Sequence, residues 1–162
     1  LGVFYLDEGK FQAAEPPLKR ALALREEALG TDHPDVATSL EALGWLYAKQ
    51  GRHGEAEPLL KRAISTFEKT LGTDHPHVAR CCVKMARACC GQGKNAQAES
   101  CSKQALAIYE KAPDADPLGY ARALEEYATV LRNTNRAAEA EKAEARARSL
   151  REEESRADPP AR

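Results

Sequence analysis

Aligning the first 37 residues with the 37 that begin at Leu43, an offset of 42, gives 20 identities, among them the hexapeptide LGTDHP at 29–34 and 71–76. Self-similarity at such a period signifies a repeat array. Each module is a supersecondary unit that cannot cover its own apolar face and must bury it against its neighbours. The unit is 35–76, and the period divides the 162 residues into 1–34 (a first repeat lacking its beginning), 35–76, 77–117 and 118–154, the last closing the array as a cap. A short tail, 155–162, with Asp158, Pro159 and Pro160, is expected to fray.

Within the unit the apolar spacing is helical. Leu40, Leu43, Gly44 and Tyr47 share one face; Gly51 turns the chain; Ala56, Leu60, Ala63, Ile64 and Phe67 form the facing stripe. Gly44, Ala56 and Ala63 are small where the two helices are expected to cross closely. The loops at 30–34 and 72–76 place Gly after one helix and Asp-His-Pro before the next, so that Asp32 or His33 caps the helix opened by Pro34. Pro16 and Pro17 are expected near the start of their helix, Pro16 at little cost and Pro17 with a slight kink. The third copy keeps the plan with smaller residues (Cys82, Met85, Ala86, Cys89), a looser module. The fourth replaces the turn glycine by Asn135 and places Glu144 where Leu18 and Leu60 stood, which suits a helix that needs no following neighbour.

Composition agrees: 43% hydrophobic, mostly Ala and Leu, with 30% charged residues, suits short, closely packed, water-facing helices. A formal net charge of -1 argues against nucleic acid or an anionic membrane as partner, and no apolar run is long enough to span a bilayer. The five cysteines, odd in number and clustered in one repeat, do not form a secreted disulfide framework, and a cytoplasmic location is expected.

The small and large residues at these spacings, with glycine at the turn, resemble the tetratricopeptide repeat. The 42-residue length and the phrases EAEPLLKRAI (55–64) and LGTDHPDVA (29–37) are similar to the subfamily found in kinesin light chains and related bacterial proteins, and the last copy resembles the closing repeat of bacterial members. The resemblance implies an all-α fold, an α-solenoid of antiparallel helix pairs in a right-handed superhelix whose first helices line a concave groove for peptides. Kinesin light chains carry paired Asn on those helices; here the places hold Glu41 and Ala42, Val83 and Lys84, Glu125 and Glu126. Chaperone-binding members grip a carboxylate with Lys, Asn and Arg; Arg80 and Lys84 match one pair, but Val3 and Ala42 occupy two Asn places.

At about 100° per residue, Thr38, Glu41, Ala42, Trp45, Ala48 and Lys49 lie opposite the Leu40 stripe and face that groove. Arg80, Val83, Lys84, Arg87 and Cys90 match them in the third copy, and Arg122, Glu125, Glu126, Thr129 and Arg132 in the fourth. The expected binding residues are Glu41, Trp45, Lys49, Arg80, Lys84, Arg87, Arg122 and Arg132. Six cations stand against three acids, Glu41, Glu125 and Glu126, and Trp45 beside Val3 and Leu6 offers an apolar subsite. The expected function is non-enzymatic: a scaffold binding an acidic segment with a hydrophobic anchor. Alternatives are end-to-end self-association through the first repeat, and a cysteine-based redox or metal sensor.

Packing is the main reading of the cysteines. Cys82 and Cys89, seven residues apart, are separated by about 10.5 Å along a helix, too far to share a zinc, and fall on the core stripe. Cys81, Cys90 and Cys101 leave open a disulfide or a reactive thiol. His33 and His75 recur once per repeat, as loop caps do. No nucleophile elbow, phosphate loop or Ser/His/Asp set is present, and no cofactor is expected.

Overall fold

The computed structural model describes residues 11–111 and 116–157. Among them are seven helices and no strand: α1 Phe11–Leu29, α2 Pro34–Lys49, α3 His53–Leu71, α4 Pro76–Gly91, α5 Asn95–Lys111, α6 Pro117–Asn133 and α7 Ala137–Ala157. The pairs α2/α3, α4/α5 and α6/α7 are the hairpins of the second, third and fourth repeats; α1 is the second helix of the first. None of the described helices is long and apolar enough to cross a membrane.

Local chemistry sets the helix boundaries. His33 Nδ1 accepts from the Asp35 N–H at 3.1 Å and His75 Nδ1 from the His77 N–H at 3.2 Å, each followed by proline at the first helical position. The fourth repeat achieves the same end with Asp116, whose Oδ1 accepts from the Gly119 N–H at 2.8 Å. The turn inside each hairpin needs one left-handed residue, supplied by Gly51 (φ 75°), Gly93 (φ 72°) and Asn135 (φ 59°). Pro16 and Pro17 lie inside α1 and Pro58 inside α3, beyond the first turn where a proline is costless.

Each helix packs on the next, and the first helices of successive hairpins, α2 with α4 and α4 with α6, also touch. That places them on the inner side of the stack. Gly44 lets α2 and α3 close: a Cβ there would stand 2.7 Å from Leu60 Cγ. Leu40, Leu60, Phe67, Val78, Leu106 and Leu131 carry the core along the stack. Ser102 occupies the place of Leu18 and Leu60 in the third repeat, fully buried, its hydroxyl without a partner among the described residues.

Three ion pairs recur with the period and tie each second helix to the turn of the following hairpin. Glu15 meets Arg52 at 2.7 Å, Glu57 meets Lys94 at 2.6 Å, and Glu99 meets Arg136 at 2.7 Å. Acids and cations both step by 42 residues. At the cap, Glu144 is taken by Arg132 of its own hairpin. α7 runs to Ala157, into the segment expected to fray. Leu150 is buried there, Arg151 pairs with Glu125, and the Ser155 hydroxyl donates to the Arg151 carbonyl. Residues 158–162, and the first-repeat face expected to self-associate, lie outside the described residues.

Candidate functional site

Because the modules stack in one orientation, residues 42 apart fall into columns on the inner face. Four columns line a cavity of about 710 Å³: Thr38/Arg80/Arg122, Glu41/Val83/Glu125, Ala42/Lys84/Glu126 and Trp45/Arg87/Thr129. Lys49 adds to them from the end of α2. Seven of the eight expected residues therefore meet in one cleft: Glu41, Trp45, Lys49, Arg80, Lys84, Arg87 and Arg122.

Arg132 is the exception, and its whole column goes with it. Ala48 is buried, Cys90 is half-buried against the core, and Arg132 turns to Glu144 on α7. This column lies seven residues beyond the Glu41 column, about 20° past the groove edge. The second helix of the hairpin covers that edge. Four residues enter the lining unforeseen: Tyr109 from α5, Asp116 from the loop before α6, Gly119 from α6 and Arg151 from α7. Six cations then face four acids, since Arg151 replaces Arg132 and Asp116 joins.

The charges are not equivalent. Glu41 is 2% exposed, yet Arg80 donates to both its oxygens at 2.6 and 2.8 Å and Lys84 to Oε1 at 2.5 Å. Burial opposes its ionisation, but the Arg80 fork and the Lys84 ammonium outweigh it and hold the carboxyl below its usual range. Arg80 also contacts His77 Nδ1 at 2.7 Å; burial, then Arg80, push that imidazole down. Glu126, 8% exposed, meets only Arg87 Nε among the described residues, at 3.2 Å, and burial pushes its carboxyl up.

Trp45 is half-buried on the cleft wall, with three cations about its ring: Lys49 Nζ at 4.6 Å from the centroid, Arg87 Cζ at 5.4 Å and Lys84 Nζ at 5.7 Å. Ala42 and Val83 are aliphatic members of the same lining; the expected neighbours Val3 and Leu6 lie outside the described residues.

Cys81, Cys82 and Cys89 are buried among apolar side chains, and Cys90 and Cys101 half-buried. Burial pushes the thiols of Cys81, Cys82 and Cys90 up, Cys82 to about 12. The neighbouring Cys89 thiol lowers that of Cys101. Among the described residues no group of three or more His, Cys, Asp or Glu is placed to hold a metal.

The tetratricopeptide repeat model matches residues 1–69, 47–111 and 82–153. No curated protein matches the chain by sequence. Among solved structures it is similar to BtubC (BKLC) from P. vanneervenii, with a TM-score of 0.83 at 20% identity over 99% of this chain; it spans 64% of that one. It is also similar to a putative kinesin light chain of Podosopora anserina with nearly identical TPR-like repeats. There the TM-score is 0.71 at 24% identity over 96% of this chain and 74% of that one, and a variant of the same protein gives 0.75 at the same identity and coverage. These likenesses bear on the fold, and the sequence match from residue 1 to 153 bears on the family: the chain belongs to the tetratricopeptide repeat family, whose repeats are general scaffolds for protein–protein interaction.

Proposed function

We propose that the concave cleft of α2, α4 and α6 is a peptide receptor for a segment combining acidic residues with one bulky hydrophobic anchor. Its activity is binding, without chemical conversion of the ligand. The observation that carries this reading is Trp45 on the cleft wall among Lys49, Lys84 and Arg87. An aromatic surface in a cleft also lined by Ala42 and Val83 suits an apolar side chain, and the cations suit acids flanking it. A concave wall with more cations than acids concentrates a positive field on an otherwise near-neutral chain.

Calorimetry with short peptides of Asp, Glu and one aromatic residue tests the reading. Trp45→Ala or Arg87→Glu is expected to weaken binding by roughly tenfold or more, about 1.4 kcal/mol. Raised salt should weaken it further. Unchanged affinity in both variants overturns the receptor reading.

A further inference from the structure

We propose that Lys49 and Arg87, converging over Trp45, form the seat for one anionic oxygen group of the bound segment, a carboxylate or a phosphoryl group, and that Arg80 and Lys84 do not serve it. The proposal rests on the receptor reading and adds where the ligand's charge is held.

The division follows from how each cation is already used. Both oxygens of Glu41 are occupied by Arg80 and Lys84 through three hydrogen bonds of 2.5–2.8 Å. Those bonds commit both cations to the buried acid. Lys49 has no ion-pair partner among the described residues, and Arg87 reaches Glu126 with Nε alone, at 3.2 Å. The Nη donors of Arg87 make no hydrogen bond among the described residues. Two cations therefore face one buried carboxylate that takes a single hydrogen bond from them. The groups facing Lys49 are Arg87 and Glu126, and its ammonium is pushed down by burial and then by Arg87, a repulsion that an anion between them would relieve.

The geometry also suits such a guest. Lys49 Nζ and Arg87 Cζ stand 4.6 and 5.4 Å from the Trp45 centroid, so both cations border one aromatic surface. A guanidinium edge and an ammonium present several donors to a group with two or three acceptor oxygens. The indole can carry the methylene stem of the same side chain.

Trp45 is the single tryptophan of the chain and reports on the seat by fluorescence. Three tryptophan-free peptides, identical but for Glu, phosphoserine or Gln at one position beside a Phe anchor, are titrated against the protein. Lys49→Met is the primary variant, because this exposed side chain holds no ion pair among the described residues; the neutral double variant Arg87→Gln/Glu126→Gln is the second. The Gln peptide is expected to bind at least fivefold more weakly than the Glu or phosphoserine peptide. Both variants should erase that difference, while Lys69→Met, at an exposed lysine outside the cleft, leaves it within twofold. A stronger response to phosphoserine than to Glu would assign the guest as phosphoryl, the reverse as carboxylate. Inorganic phosphate at constant ionic strength tests the seat without a peptide: a saturable change in Trp45 emission, lost in Lys49→Met, supports it. Peptides that bind with an anion preference insensitive to Lys49 overturn the seat and leave the receptor. Phosphate that saturates through Lys49 while no peptide binds overturns the receptor and leaves the seat. Absence of both responses overturns both.

Discussion

Glu41 on α2 and Arg80 on α4 are joined by two hydrogen bonds of 2.6 and 2.8 Å across the boundary between successive hairpins, and the acid is almost wholly buried. The other buried acid of the cleft, Glu126 on α6, meets Arg87 on α4 through a single bond of 3.2 Å. The two buried acids therefore bear oppositely on stability.

Glu41→Gln is expected to lower unfolding free energy by about 2 kcal/mol, because it removes a charge that two cations were organised around. Glu126→Gln should cost less than about 0.5 kcal/mol or stabilise, since burial pushes that carboxyl up and its ionised form is held against a desolvation cost. Urea denaturation of the two variants at neutral pH checks the contrast. Equal losses would contradict it.

The recurring pairs Glu15–Arg52, Glu57–Lys94 and Glu99–Arg136 make stacking sensitive to acid. Lys19, then Arg52 and Tyr47 against a burial cost, hold the Glu15 carboxyl at about 2; Lys94 first lowers Glu57, and Lys103 then Arg136 lower Glu99. A carboxyl lowered by folding contributes stability that is present above its unfolded value of about 4.3 and is lost as pH falls toward the folded value. Melting temperature should therefore fall between about pH 4.5 and 2. The triple variant Arg52→Met/Lys94→Met/Arg136→Met should melt lower at pH 7 and show a shallower acid slope. An unchanged slope would remove the pairs from the account.

Ser102 fills a place held by leucine in two other modules, and its buried hydroxyl has no partner among the described residues. Ser102→Ala removes an unsatisfied polar group and improves helix propensity, so a gain of about 1 kcal/mol is expected, or a melting point higher by about 2–4 °C. Differential scanning calorimetry reads it directly.

The thiols should react in sequence. Cys101, half-buried and lowered by the neighbouring Cys89 thiol, should modify first and Cys90 more slowly; Cys81, Cys82 and Cys89 should wait for unfolding. Timed alkylation followed by mass spectrometry gives the order. Prompt modification of all five would revive the sensor reading.

Much of this was legible from one offset. The 42-residue identity located the hairpins, and the caps at His33 and His75 followed from helix-end chemistry that needs only neighbours in sequence. Gly44 against Leu60 and Asn135 in the left-handed turn followed for the same local reason. The column of Ala48, Cys90 and Arg132 was misplaced because a helical wheel shows direction from one axis, not which flank a partner helix covers. The Glu15–Arg52 pair and its two repeats were visible as recurring letters. A charge beside a turn nevertheless reads as solvated until the rotation between modules is known. Asp116 in the cleft lay beyond reach for a similar reason, since its loop departs from the repeated phrase.

Trp45, Arg87 and Thr129 occupy the same place in three consecutive modules, yet one is aromatic, one cationic and one a small hydroxyl. A segment slipping along the cleft by one hairpin would set its apolar anchor on a guanidinium, and by two on a threonine. Unequal marks on an evenly ruled scale give it both an origin and a direction, so a guest seated as proposed would have one register, even though the scaffold beneath it repeats.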